Sequence, residues 1–330
     1  MKKIEALCRT ERMQGLCSVV CTTYNHAKYS RAAIESIAAQ DYRPLEIVVV
    51  DDGSIDGNVE VIREALTQSR LPYTLIEQEN SGNVAANANR ALAAAKGEFL
   101  LLTSLDDLLL PDCISSKMAL MLESASVVMV GNSTNAEVDG EGMITKPSVP
   151  NYVFGNESAS AEDLREIEFT KIGTFFLQGV AFRADVLDAI GGFDEDITGD
   201  DLNLRTRFWI YLIAHPELQF AFLQQPGFAY RKHVENLHRN ILRQVRTVLD
   251  WRNRYFPERP LPDLAQGWVC MYFAQCLAVR DYEALQKVLD LDPQMPEIYA
   301  SYRKTWRFYR RAIKNRFFRP PHARATSTRK

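Results

Sequence analysis

Between residues 16 and 103, short apolar runs alternate with longer stretches in which apolar positions recur every three or four residues. The runs Leu16–Thr23, Leu45–Val50, Tyr73–Glu77 and Phe99–Thr103 have strand length and strand composition. The stretches between them predict helices over Tyr29–Gln40, with Ala33, Ile34, Ile37 and Ala38 on one face, and over Val59–Thr67. A third, alanine-rich helix is predicted over Asn83–Ala95, with Gly97 as its C-cap. Repeated β-α units of this length predict an α/β fold, with a parallel sheet, right-handed crossovers and helices on both faces. Within it, Val48-Val49-Val50 runs without alternation into Asp51-Asp52-Gly53-Ser54. A strand apolar on both faces belongs in the middle of such a sheet, and ligands bind beyond the carboxyl ends of its strands. Two adjacent aspartates there repel unless a ligand or donor compensates them. This strand end therefore predicts a binding site.

After residue 111 the alternation weakens. A helix is expected over Ile114–Leu122 and a strand over Ser126–Val130. Residues 131–160 are rich in Gly, Asn, Ser and Pro and predict a long surface loop or an irregular hairpin. Helices over Ala184–Ala189 and Leu202–Ile213 and a short strand near Phe220–Phe222 follow. From Asn240 onward the pattern is almost wholly helical, with a helix pair across Trp268–Leu291. The expected division is an N-terminal extension (1–15), an α/β domain (16–240) and a helical C-terminal region (241–330).

Composition and charge bound this picture further. The chain has 330 residues, 46% of them hydrophobic, enough for one large or two modest domains. No apolar run approaches the roughly 20 residues of a membrane helix. The N-terminal MKKIEALCRTERMQG is too polar for a signal peptide. The six cysteines form no C-x-x-C pair, so they read as reduced core thiols of a cytoplasmic protein. The net charge of −3 hides an asymmetry: residues 301–330 hold eleven Lys or Arg and no acid, leaving 28 basic against 42 acidic residues in the first 300. An acidic body with a basic tail excludes a general nucleic-acid binder.

The candidate chemistry lies in four polar clusters. Thr22-Thr23-Tyr24-Asn25 follows the first strand, Asp51-Asp52-Gly53-Ser54 the second and Ser104-Leu105-Asp106-Asp107 the fourth, while Gly199-Asp200-Asp201 precedes a later helix. Singly, each reads as a turn or a helix N-cap. Three at strand ends of one sheet should converge on one edge. In order and spacing, the segments SVVCTTYNHAKYSRAAIESIAAQDYRPLEIVVVDDGSIDG, ENSGNVAANANRALAAAKGEFLLLTSLDDLLLPD, FRADVLDAIGGFDEDITGDDLNLRTRFW and YRKH resemble the family 2 glycosyltransferases of the GT-A fold, over roughly residues 16–235.

The resemblance implies a Rossmann-like, mostly parallel sheet with a nucleotide half (about 16–110), an acceptor half (about 111–240) and a helical C-terminal extension. It implies a nucleoside diphosphate sugar donor, UDP-linked in this reading, held by Thr22, Tyr24, Asn25, Asp51, Asp52, Ser54, Asn89 and Arg231. Tyr24 offers stacking area to the base, and Thr22 and Asp52 suit the base edge. A Mn²⁺ or Mg²⁺ ion would sit at Asp106, Asp107 and His233, because hard cations take carboxylate oxygens and bridge diphosphates. Asp201 matches the catalytic base and Asp200 its acidic partner, although either could instead cap the following helix. Ser104 stands where the family usually has the first aspartate of D-x-D. TTYNHAKY lacks the glycine-rich phosphate loop of a nucleotidyltransferase, and the absence of Q-x-x-R-W argues against a processive synthase. Two function classes remain: an inverting, metal-dependent transferase acting on a saccharide or lipid-linked acceptor in bacterial surface glycan synthesis, or a non-catalytic nucleotide-sugar or glycan-binding scaffold.

The tail adds one expectation. Tyr302, Trp306, Tyr309, Ile313 and Phe317 recur at helical spacing among Arg and Lys residues. Such a helix suits an anionic membrane surface, on the inner face of the membrane. It would equally suit packing on the acidic body.

Overall fold

The computed structural model describes residues 12–232, 241–306 and 308–310. They fall into two compact units, Met1–Asn236 and Leu237–Lys330. The first unit contains β1 (Met13–Thr23), β2 (Leu45–Asp51), β3 (Tyr73–Glu77), β4 (Gly97–Ser104), β5 (Leu108–Leu109), β6 (Val127–Asn132), β7 (Thr134–Val138), β8 (Ile144–Pro150), β9 (Val180–Arg183), β10 (Gln219–Leu223) and β11 (Phe228–Arg231). Its helices are α1 (Ala27–Ala38), α2 (Asn58–Ser69), α3 (Val84–Ala94), α4 (Cys113–Glu123), α5 (Ala161–Lys171), α6 (Ala184–Ala189) and α7 (Asp200–Ala214).

Seven strands form the central sheet in the order β10-β6-β9-β4-β1-β2-β3. All neighbours are parallel except β9, which runs antiparallel to both β4 and β6. The valine run shows why β2 is central. All seven of its residues are buried. Ile47 and Val49 enter one core with Ile34 and Ile37 of α1 and Ile62 and Leu66 of α2. Val48 and Val50 enter the other with Leu92 of α3 and Leu204, Phe208 and Trp209 of α7. Successive side chains point to opposite faces, so an unbroken apolar run supplies both cores, at about 1.5–3 kcal/mol per buried side chain.

Several expectations change in detail. Residues 131–160 do contain an irregular hairpin, but β7 is buried along its whole length and pairs with exposed β8. A second sheet, β5-β11-β7-β8, stands on this hairpin. Gly97 is not the cap of α3, which closes on Ala95 in extended conformation. Gly97 instead opens β4, where a Cβ would meet the Leu16 carbonyl. Neither Asp200 nor Asp201 caps α7: the N-cap is Gly199, at φ +95°, and both aspartates lie in the first turn. The strands β5, β9 and β11, of two to four residues, are too short to show a period.

The second unit holds α8 (Ile241–Tyr255), α9 (Asp263–Val279), α10 (Tyr282–Leu289) and α11 (Met295–Arg303). Trp251 is fully buried against Phe256, and Arg252 pairs with Asp292. The expected aromatic stripe is not one helix face here. α11 ends at Arg303, Tyr302 is buried edge-on to Phe308, and Trp306 is 74% exposed. Ile313 and Phe317 lie outside the described residues. Among those described, no helix is long and apolar enough to cross a membrane, and Cys17, Cys21, Cys113 and Cys276 are buried free thiols.

Candidate active site

The carboxyl ends of β1, β2 and β4 lie side by side. Thr23 is in register with Asp51 and Thr22 with Ser104. The first three polar clusters therefore share one edge. Tyr24, directly beyond β1, is 43% exposed. Asn25 adopts φ +55° and ties this turn to the next: its N–H donates to Ser54 Oγ (2.8 Å), and its Oδ1 accepts from Ile55 N–H (2.9 Å).

The two adjacent aspartates are compensated by the chain itself. Asp51 accepts from Ser54 N–H (2.8 Å), Ser54 Oγ (2.6 Å) and Asn58 Nδ2 (3.0 Å). Asp52 turns the other way and accepts from Gln78 Nε2 (2.6 Å), Ser81 N–H (2.8 Å), Ser81 Oγ (2.9 Å) and Gly82 N–H (3.1 Å). Burial alone would raise the Asp52 carboxyl, but the bonds from Ser81 and Gln78 outweigh it and hold the group below its ordinary range. Gly53 makes this approach possible. At φ +76°, any Cβ would lie 2.6 Å from the backbone nitrogen of Asn80.

Beyond β4 the two carboxylates of Asp106-Asp107 diverge. Asp107 is buried, and its Oδ1 accepts from the backbone N–H of Arg231 (2.8 Å). Burial and the neighbouring Asp106 push its carboxyl well above the usual range. Asp106 Oδ2 lies 4.0 Å from His26 Nε2, with both side chains partly accessible. Arg231 is 2% exposed. Its Nε donates to the Asp106 carbonyl (2.7 Å), its Nη1 to the Asp139 carbonyl (2.9 Å), and its guanidinium lies 4.8 Å from the Tyr29 ring centre. His233 lies outside the described residues. Among the described residues, no three His, Cys, Asp or Glu side chains form a cage for a metal. A single accessible carboxylate beside an imidazole still fits a hard cation. Mg²⁺-type sites commonly use one or two carboxylates and take their remaining ligands from water and substrate phosphates.

The fourth cluster is joined to this edge through α3. Asn89 Nδ2 donates to the Phe193 carbonyl (2.9 Å) and to Glu195 (2.7 Å), and its Oδ1 accepts from Phe193 N–H (2.7 Å). A Cβ at Gly192 would overlap Asn89 Oδ1. Asn83, next to the loop that holds Asp52, donates to the Glu195 carbonyl (2.9 Å). The loop leading to Asp200-Asp201 is thus pinned to the nucleotide half. The Asp201 side chain keeps 37% of its surface accessible. Surrounding protein, then Asp200, then Glu168 push its carboxyl up to about 7, against a lowering influence from Arg205. A surface cavity lined by Ala161, Leu212, Pro216 and Phe220 lies towards the other end of α7.

Sequence reading passed over His26, Asn58, Gln78, Ser81, Asp139, Glu168 and Arg205. The polar loop residues had a weak signal, falling in loops beside the clusters. Glu168 had none, being one of several acids in a largely polar helix.

The sequence model of glycosyl transferase family 2 matches residues 18–191, just over half of the chain. An uncharacterized glycosyltransferase of Nostoc sp. is 39% identical over 230 residues, covering 67% of this chain and 66% of that protein. The match spans 31–66% of the length of the first four curated relatives. Among solved structures, residues 1–349 of Staphylococcus aureus TarS, in complex with UDP-GlcNAc, align with a TM-score of 0.57 at 17% identity, covering 91% of this chain and 89% of that one. A mannosyltransferase of Pyrobaculum calidifontis, in complex with GDP-Man and Mn²⁺, aligns with a TM-score of 0.53 at 18% identity, covering 95% and 91%. The fold is the GT-A architecture, and by the match across its sheet and strand-end clusters this chain belongs to glycosyl transferase family 2.

Proposed function

We propose that the chain is an inverting, metal-dependent glycosyltransferase that moves a sugar from a nucleoside diphosphate sugar, UDP-linked in our reading, to a saccharide or lipid-linked acceptor of a bacterial surface glycan. The observation that carries this reading is the pinning of the Asp201 loop, through Asn89 and Asn83, to the edge where β1, β2 and β4 end. On this proposal, donor-side and acceptor-side groups face one another across that edge. The solved TarS and mannosyltransferase complexes hold UDP-GlcNAc and GDP-Man on this fold, which supports a nucleotide-sugar donor here.

In this reading the exposed Tyr24 lies against the base, with Thr22 at its edge. Asp51, Asp52, Asn25 and Ser54 shape the donor loops through the bonds described above. Asn89 aligns the two halves, and Arg231 supports the Asp106-Asp107 turn. Asp106 would hold the cation, joined by His233 and set in place by Asp107. When bound, that ion would neutralise charge on the departing diphosphate. Asp201 takes the proton of the acceptor hydroxyl as that oxygen bonds to the anomeric carbon and the bond to the diphosphate oxygen breaks. Its raised carboxyl suits proton transfer near neutral pH.

Melting temperature measured with UDP-GlcNAc, GDP-Man, UDP and GDP, each with and without Mn²⁺, tests the donor site. One nucleotide series should stabilise the fold in proportion to affinity, and Asp106→Asn should lose the Mn²⁺-dependent part. A silent panel would sink the reading. Ser104 favours the scaffold alternative, which predicts stabilisation without any hydrolysis or transfer of the donor. We also propose that the protein is cytoplasmic and meets an anionic membrane through residues 301–330. Exposed Trp306 and Tyr309, among Arg303, Lys304 and Arg310, support this.

A further inference from the structure

The acceptor half buries an ion pair directly behind Asp201 that the proposed chemistry does not use. Glu168 of α5 is completely buried, and Arg205 of α7 is 6% exposed. Arg205 Nε donates to both Glu168 oxygens, at 3.0 and 3.2 Å. Thr174 Oγ1 donates to Glu168 Oε2. The guanidinium carbon lies 5.7 Å from the Phe175 ring centre. Arg205 sits one helical turn after Asp201, yet its Nη1 stops 3.8 Å from Asp201 Oδ2, beyond hydrogen-bond distance.

We propose that Glu168 and Arg205 are a positioning pair for Asp201: Glu168 holds the guanidinium back, so that Arg205 orients the Asp201 carboxylate through a long ion pair without engaging it. This rests on the reading of Asp201 as the base. A cation that hydrogen-bonds a carboxylate stabilises its charged form and makes it a weaker base. A cation held just out of reach fixes the direction of the carboxylate and lowers its basicity less than a direct hydrogen bond would. A buried Arg lacking its carboxylate partner would carry an uncompensated charge, so without Glu168 it would turn to Asp201, the nearest acid on its own helix. The charged groups acting on Asp201 are Asp200 and Arg205 from α7 and Glu168 from α5, which makes the arrangement testable by titration.

The experiment is a ¹³C-carboxyl NMR titration of the full chain, with the Asp201 resonance assigned by its loss in Asp201→Asn. In Glu168→Gln the Asp201 midpoint should fall by about one pH unit, a tenfold stronger acid. An unmoved or raised midpoint in folded Glu168→Gln would overturn the proposal. Should that variant fail to fold, the double variant Glu168→Gln/Arg205→Gln replaces the charged pair with neutral amides. Its midpoint should lie above that of the unmodified chain, because the Arg205 influence is gone, and a midpoint at or below it counts against the pair. The two readings separate cleanly. A shifted midpoint together with full transfer activity in Asp201→Asn keeps the pair and removes the base assignment. An inactive Asp201→Asn with an unmoved midpoint in Glu168→Gln does the reverse.

Discussion

Asp51 and Asp52 are adjacent in the chain and opposite in their commitments. Asp51 ends β2 and Asp52 opens the turn beyond it; one carboxylate closes its own turn through Ser54 and Asn58 while the other reaches the next loop through Gln78, Ser81 and Gly82. The expected repulsion is absorbed by seven donor contacts rather than awaiting a ligand. Asp201 is the contrasting case, raised to about 7 by its surroundings. A general base works in its deprotonated form, so kcat/KM for transfer should rise with pH through about 7 and level off above it. Asp201→Asn should lower kcat by about 10²–10⁴-fold while leaving donor-induced stabilisation in place. A pH-independent rate, or an active Asn variant, would remove Asp201 as base. Both aspartate pairs were visible as residues in the sequence. Their partners were not, because hydrogen bonds such as Gln78 to Asp52 or Arg205 to Glu168 join positions 26 and 37 residues apart.

At the scale of elements, the loop between β3 and α3 depends on a single carboxylate. Removing the Asp52 side chain leaves the N–H groups of Ser81 and Gly82 without their acceptor. Losing one charge-assisted bond in a partly buried site costs about 1.5–3 kcal/mol, so Asp52→Ala should destabilise by at least that amount, read as a lower urea midpoint at unchanged slope. A loss under about 0.5 kcal/mol would show the loop to be held by other contacts, since that is the range of an ordinary surface substitution. The first four strands and three helices were legible because each is long enough to show its period. β7 was not, because Thr134–Val138 is polar in composition yet buried throughout. Its burial comes from β8 and β11 on either side, contacts no local pattern records. The aromatic stripe of the tail is interrupted for a related reason. Aromatics keep helical spacing across Tyr302, Trp306 and Tyr309, but α11 ends at Arg303 and helical residues resume only at Trp306 and 308–310, after a break at 304–305.

At the scale of the whole molecule, charge is the organising feature: an acidic body and eleven basic residues in the final thirty. If residues 301–330 bind a membrane, the full chain should co-sediment with vesicles containing phosphatidylserine, less so at high salt, because the screening length falls from about 8–10 Å near physiological ionic strength to about 3 Å at 1 M. Deleting those residues should release it, whereas equal sedimentation of full and truncated chains would refute the membrane role. The sequence alone determined the β-α alternation, the burial of β2 on both faces and the residence of three polar clusters at strand ends, since each follows from periodicities of two and about 3.6 along a continuous stretch. Only the tertiary structure decided which side chains those carboxylates answer to, that a polar segment becomes the buried β7, and that an arginine behind Asp201 is claimed by a glutamate from another helix. Those outcomes depend on packing between segments far apart in the chain, where the energy of a contact is fixed by geometry that no single stretch contains.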